Sequence, residues 1–194
     1  MNEGTRKEQL QLLWPGRLLK SPPEVVVPEG YEMRRFRRQD APAYVRLMHA
    51  AGFVNWSEAK LREWLPRVVA GGFFVVVEKA SGELVATAMA TRNPSVVHPK
   101  GGELGWVAAD PLHAGKGLGL AVCAAVTRRF LETGYRRLYL RTDDYRLPAI
   151  KTYLRLGWVP FLFAPDMKER WRVACKELGW PFEPQNWPTF RYRA

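Results

Sequence analysis

Between Asp110 and Gly119 the chain reads DPLHAGKGLG, with glycines at 115, 117 and 119 and a lysine between the first two. Glycine has no Cβ, so it takes positive φ and lets the backbone come close to a ligand. A tight connection needs one or two such residues. Three at alternate positions suit a loop whose amides converge on an anion. Two familiar phosphate loops do not fit. A GxxxxGK loop followed by Ser or Thr needs glycine where Asp110 stands and a hydroxyl where Gly117 stands. A GxGxxG fingerprint needs glycine where Leu120 stands. A phosphate cradle of another type remains, with a ligand-free strand-to-helix connection as the alternative. Metal chemistry finds little support. His49, His98 and His113 lie far apart, and the two cysteines, Cys123 and Cys175, cannot complete a zinc site.

The flanks define what holds the loop. GELGWVAA (102–109) is mostly apolar and reads as a buried strand. After the loop, Leu118, Val122, Val126 and Phe130 recur every four residues, the stripe of an amphipathic helix that Gly134 can end. Anions favour the start of such a helix, where free N–H groups and the helix dipole point outward. Elsewhere the pattern predicts a strand at YEMRRF and a helix over 38–52 with Asp40 as cap. A second helix is expected over 57–72, interrupted at Pro66. FFVVVEK and ELVATAMATR around ASG read as a hairpin, RRLYLRT and WVPFLFA as strands, and PAIKTYLRLG and DMKERWRVACKELG as helices. Residues 1–30 read as irregular, with PEVVVPEG an edge strand or an extended strap. The expected fold class is α+β.

The chain of 194 residues is 47% hydrophobic, enough for one domain with a proper core. Its formal net charge of +11 favours anionic partners such as nucleic acid, a membrane surface or a phosphorylated ligand. The basic residues are spread out, however. The densest group, Arg34, Arg35, Arg37 and Arg38, reads as the solvated end of a strand or as a phosphate-tracking patch. The N-terminal sequence has no apolar run of signal-peptide length, and two cysteines make no disulfide framework. A cytoplasmic protein that does not enter membranes is the expectation.

Strand, glycine loop and helix, followed after another strand by AIKTYLRLGW, resemble the GNAT superfamily of acyl-CoA-dependent N-acetyltransferases. That family's loop reads R/Q-x-x-G-x-G/A, matched by Ala114, Gly115, Lys116, Gly117, Leu118 and Gly119 after Ala109-Asp110-Pro111. Its later signature, A-x-x-x-Y-x-x-x-G-F/W, is matched by Ala149, Tyr153, Gly157 and Trp158. The order of elements from about 30 to 164 agrees as well. The resemblance implies a mixed, mostly antiparallel twisted sheet flanked by helices on both faces. It also implies an N-terminal extension (1–29), the acyltransferase domain (30–164), and a C-terminal helix with a Pro/aromatic tail packed on it (165–194). TDDYRLPAIKTYLRLGWVP further resembles a segment of bacterial members that include mycothiol-synthase-like proteins.

The implied chemistry is transfer of an acetyl group from acetyl-CoA to a primary amine by direct attack, without a metal. The pyrophosphate would lie on the amides of Gly115 to Gly119, and the pantetheine arm along Val107, Ala108 and Ala109. An amide near Val107 would face the thioester oxygen. Arg146 and Ala149 fall at cofactor-binding positions. Two departures from the family pattern stand out: Ala114 replaces the Arg or Gln that opens the loop, and Arg146 replaces an Asn. Lys116 is a phosphate contact or a solvated loop lysine. Glu103, four residues before Val107 and facing the same side of the strand, is the candidate base or a strand-end salt-bridge partner; Asp143, Asp144 and a water relay are rivals. Tyr153 is the candidate general acid toward the leaving thiolate, or a core residue. Trp56, Trp64, Phe73 and Phe74 line an acceptor pocket or fill the core. The acceptor would be a small-molecule or peptide amine, and homodimerisation stays open. A non-catalytic acyl-CoA sensor and a basic nucleic-acid binder are the competing classes.

Overall fold

The computed structural model describes residues 8–190; residues 1–7 of the N-terminal extension and 191–194 of the tail lie outside the described residues. Among the described residues, seven strands form one sheet: β1 (Leu10–Leu13), β2 (Tyr31–Arg35), β3 (Val68–Glu78), β4 (Leu84–Arg92), β5 (Gly102–Ala109), β6 (Leu138–Thr142) and β7 (Val159–Pro160). Their order is β2-β3-β4-β5-β6-β1-β7, antiparallel throughout except for β5 with β6. Five helices of the described residues pack on it: α1 (Ala41–Ala50), α2 (Glu58–Trp64), α3 (Leu118–Glu132), α4 (Leu147–Leu156) and α5 (Met167–Leu178).

Successive side chains of a strand face opposite ways, so β3 and β4 serve two buried clusters at once. Phe73 and Val75 meet Tyr44, Leu47 and Met48 of α1 and Leu61 of α2. Val76, Ala86, Ala88 and Ala90 meet Val122, Val126 and Phe130 of α3. The alanines of β4 let α3 lie close to the sheet, and the four-residue stripe from Leu118 to Phe130 is buried as its spacing predicts. Ile150, Tyr153 and Leu154 of α4 and Met167, Trp171 and Ala174 of α5 extend the second cluster toward β1 and β6. Helices therefore cover both faces, in an α+β fold with a mostly antiparallel sheet.

Several local expectations are corrected. Residues 10–13, expected to be irregular, form β1 between β6 and β7, pairing Leu10 with Thr142 and Leu12 with Pro160. Leu10 and Leu12 are fully buried, worth about 2 kcal/mol each. The second helix ends at Trp64 rather than near residue 72. Pro66 has no N–H to continue the ladder, Leu65–Arg67 forms a 3-10 turn, and β-branched Val68 and Val69 begin β3. WVPFLFA contributes two residues of strand and a single bridge from Leu162 to Thr189. PEVVVPEG is an extended strap without strand pairing. Asp40 does not cap α1. Its carboxylate takes both Nη atoms of Arg34 at 2.7 and 2.8 Å and the Arg37 amide at 2.7 Å, which ties the basic cluster to the start of the helix.

Candidate active site

The site begins where two parallel strands part. β5 and β6 pair only at Gly102 with Leu138 and Glu103 with Tyr139. From Leu104 onward the β6-facing edge of β5 has no strand beside it among the described residues. A register shift between Thr87 and Met89 marks a bulge in β5, and Trp106 there has φ 52°, the only positive φ of a non-glycine residue among those described. The opening is a cleft of about 400 Å³. Glu103 and Val107 of β5, Arg146 and Ala149 at the start of α4, and Tyr153 one turn further all border it, with the rival base Asp143. These sequence-predicted residues are thus brought together. Ala108 points instead into the cluster around α1 and Ala109 is half-buried; neither borders the cleft. Asp144 lies outside it, hydrogen-bonded by Arg170 of α5 at 3.0 Å.

Glu103 is buried, at 6% exposure, and both its oxygens are engaged. Oε1 accepts from Arg141 Nε at 2.7 Å; Oε2 accepts from Arg141 Nη2 at 3.2 Å and from Asn93 Nδ2 at 2.5 Å, and lies 3.5 Å from the Tyr139 hydroxyl, which donates to the Asn93 carbonyl. Such a two-pronged pairing fixes the position and orientation of the carboxylate. Burial first, then the Glu103 charge, push the Tyr139 hydroxyl well above the usual phenol range. Asp143 accepts from Gln9 at 3.0 Å and from Arg146 at 3.2 Å. Arg146 also lies over the ring of Phe53 at 4.5 Å, so it spans from α4 to the segment after α1.

Tyr153 sits on α4, which has Pro148 in its first turn and ends at Gly157 with φ 101°. It is 5% exposed and borders the cleft, with no hydrogen-bond partner among the described residues. Burial, and then the Cys123 thiol of α3, push its hydroxyl far above the usual phenol range, so it stays protonated at any physiological pH.

The glycine loop lies beyond the other end of β5. Gly115 and Gly117 have φ of 77° and 80°, which only glycine adopts freely, and Gly117 caps α3 without a side-chain hydrogen bond. A Cβ at 115 or 119 would meet nothing within 4 Å, and one at 117 only Pro28 Cγ at 3.9 Å. The Ala114 amide is bonded to Pro111 O, whereas the amides of Gly115 to Leu120 have no acceptor among the described residues. A row of donors without an acceptor among the described residues thus lies at a helix start. Lys116 turns away from it, donating to the Tyr31 hydroxyl at 2.9 Å. No group of three or more His, Cys, Asp or Glu residues among those described is placed to hold a metal ion.

Sequence reasoning missed Arg141, Asn93, Lys60, Gln9 and Trp106. The one usable signal was an arginine inside the strand LYLRT, which needs a partner when its neighbours are buried. Of the four aromatics proposed for an acceptor pocket, Trp56 and Trp64 border the cleft, Phe73 is core, and Phe74 borders a separate groove beside α3.

Known proteins supply a frame for this arrangement. The description of the acetyltransferase (GNAT) family matches residues 34–158. Mycothiol acetyltransferase of Nocardia farcinica is 28% identical over 148 residues, 71% of this chain and 48% of that protein. Its counterpart in Rhodococcus erythropolis is 28% identical over 170 residues, 80% of this chain and 55% of that protein. The chain thus spans about half the length of the curated relatives it matches. Among solved structures, a GCN5-related N-acetyltransferase from Sphaerobacter thermophilus superposes with a TM-score of 0.64 at 21% identity, covering 79% of this chain and 49% of that one. With the family match spanning well over half its length, the chain belongs to the acetyltransferase (GNAT) family.

Proposed function

We propose that this chain transfers an acetyl group from acetyl-CoA to a primary amine in a ternary complex. The observation that carries the reading is the parting of β5 from β6 at Glu103. It leaves an unpaired strand edge in a cleft that Glu103 and Tyr153 both border, on the strand that leads into a loop of unbonded amides. The residues fit acetyl-CoA, which supplies the activated thioester. Amides from Gly115 to Gly119 would hold the pyrophosphate, and the open edge near Val107 the pantetheine arm, beside Ala149 and Arg146. The Val107 amide would stabilise the carbonyl oxygen as it gains charge. Glu103 would take the amine proton through cleft water once attack has made the nitrogen acidic, with its carboxylate held in place at the cleft by Arg141. Tyr153, protonated and without an internal partner, would give its proton to the departing sulfur. The Lys116 side chain has no part in this reading, because its ammonium donates to the Tyr31 hydroxyl; its amide stays with the loop. Two buried free thiols, Cys123 and Cys175, suit a reducing cytoplasm.

The test is free-thiol release from acetyl-CoA over a panel of small-molecule and peptide amines, with acetyl-CoA affinity measured by calorimetry. Amine-dependent thiol release is expected. Tight acetyl-CoA binding with no turnover on any amine would favour a sensor and overturn the transferase reading.

A further inference from the structure

The charges around the cleft do not balance. Among the described residues three cationic side chains border it, Lys60, Arg141 and Arg146, and two carboxylates, Glu103 and Asp143. Arg141 is paired with Glu103 at 2.7 Å and Arg146 with Asp143 at 3.2 Å, so both carboxylates are taken. Lys60 is left over. Its ammonium lies over the indole rings of Trp56, at 5.3 Å, and Trp106, at 5.7 Å, and no carboxylate pairs with it among the described residues. Two aromatic faces hold a cation in place yet leave its outward side able to receive an anion. Trp106 also meets Trp64 at 4.9 Å and Phe53 at 6.0 Å, so the cation is set in an apolar wall.

The thioester substrate does not supply the missing anion on the proposed pose. Its phosphates would lie at the glycine loop, and no residue from 114 to 119 borders this cleft; the arm reaching the cleft is uncharged. The amine must be neutral to attack, so it adds no charge either. We propose that the acceptor carries a carboxylate, received by Lys60, with its apolar portion against Trp106 and Trp64. This rests on the acetyl-transfer reading and names its substrate class. A single unpaired cation beside two fixed carboxylates matches a monoanion; a phosphate dianion would meet more repulsion than one ammonium offsets.

The experiment compares glycyl and alanyl dipeptides as free carboxylates with the same dipeptides as C-terminal amides, whose amines have similar basicity. KM for the carboxylate is expected to be about three- to fivefold below that for the amide, the scale of one partly exposed ion pair. Lys60→Met keeps the aliphatic stem on the indoles and removes the charge. It should abolish the difference by raising KM for the carboxylates alone, with KM for acetyl-CoA and the melting temperature unchanged. A binding readout separates this from the transferase reading. The N-acetyl dipeptides, again as carboxylate and amide, are titrated against tryptophan fluorescence of wild type and Lys60→Met, which needs no turnover. Equal affinity for carboxylate and amide in wild type, or equal loss of both in Lys60→Met, would overturn the proposal even if acetyl transfer is established. A Lys60-dependent preference in binding would uphold carboxylate recognition at this cleft, so that a failure to acetylate any amine in the panel would count against the transferase reading alone.

Discussion

Replacing Tyr153 by Phe removes one oxygen from a ring that is otherwise core. The hydroxyl makes no hydrogen bond to a described residue, so its loss breaks nothing internal, and stability should change by less than about 1 kcal/mol. The rate consequence is different. If the hydroxyl protonates the leaving sulfur, turnover should fall on the order of 10²-fold, about 2.7 kcal/mol at 1.36 kcal/mol per tenfold. Burial gives a further signature. Because the Tyr153 phenol is held far above its usual range, it never deprotonates below pH 9, and the variant's pH–rate profile should drop without changing shape. The assay is single-turnover thiol release at saturating acetyl-CoA, with affinity from calorimetry and a melting curve alongside. Turnover within about twofold of wild type would refute the assignment, and so would a rate loss matched by a clear fall in melting temperature.

Glu103→Gln keeps the shape but not the charge facing Arg141. Turnover should fall about 10- to 100-fold with acetyl-CoA affinity unchanged, and an unaltered pH–rate profile would move the proton acceptor to Asp143 or to solvent. Gly117→Glu puts a side chain and a negative charge over the free amides at a φ of 80°. A folded variant with unchanged acetyl-CoA affinity by calorimetry would remove the loop from the binding site. His98 is fully buried, bonded to Gln11 at 2.6 Å, and driven down to about 4 by burial and then by Arg137 and Arg141. The unfolded chain takes up that proton below about pH 6.5. Stability from this residue is therefore complete above 6.5 and declines as pH falls toward 4, by on the order of 3 kcal/mol. Denaturant melts across this range should show the loss in wild type and a flatter slope in His98→Gln; parallel slopes would refute it.

The glycine loop was legible because its conformation is written in residue types. Positive φ at 115 and 117 is where glycine belongs, and the stripe from Leu118 to Phe130 follows from helical geometry alone. The same signal fails at Trp106, which takes positive φ at the bulge because the aromatic cluster holds it there. The Glu103–Arg141 pair spans two strands separated in the chain by a whole helix. No local pattern couples them, although each residue is odd in its own strand. β1 was missed because LQLL is too short to show a period and lacks β-branched residues; its strand identity comes from the partners on either side. The end of α2 was misplaced because Val68 and Val69 fit either element until the pairing of Val68 with Thr91 decides.

The placement of β1 also bears on how the domain assembles. Leu10 pairs with Thr142 and Leu12 with Pro160, so this strand cannot dock until residues 138–160 are in place. During synthesis it emerges early and waits, and closing so long a loop is slow relative to forming the β3–β4 hairpin. Meanwhile the edge of β6 stays open to mispairing with other chains. Docking β1 also delivers Gln9 to Asp143 at the rim of the cleft. The rim of the cleft at Asp143 should therefore be completed only when β1 docks, and a chaperone that shields the β6 edge would raise the yield of folded protein more than one that shields the hairpin.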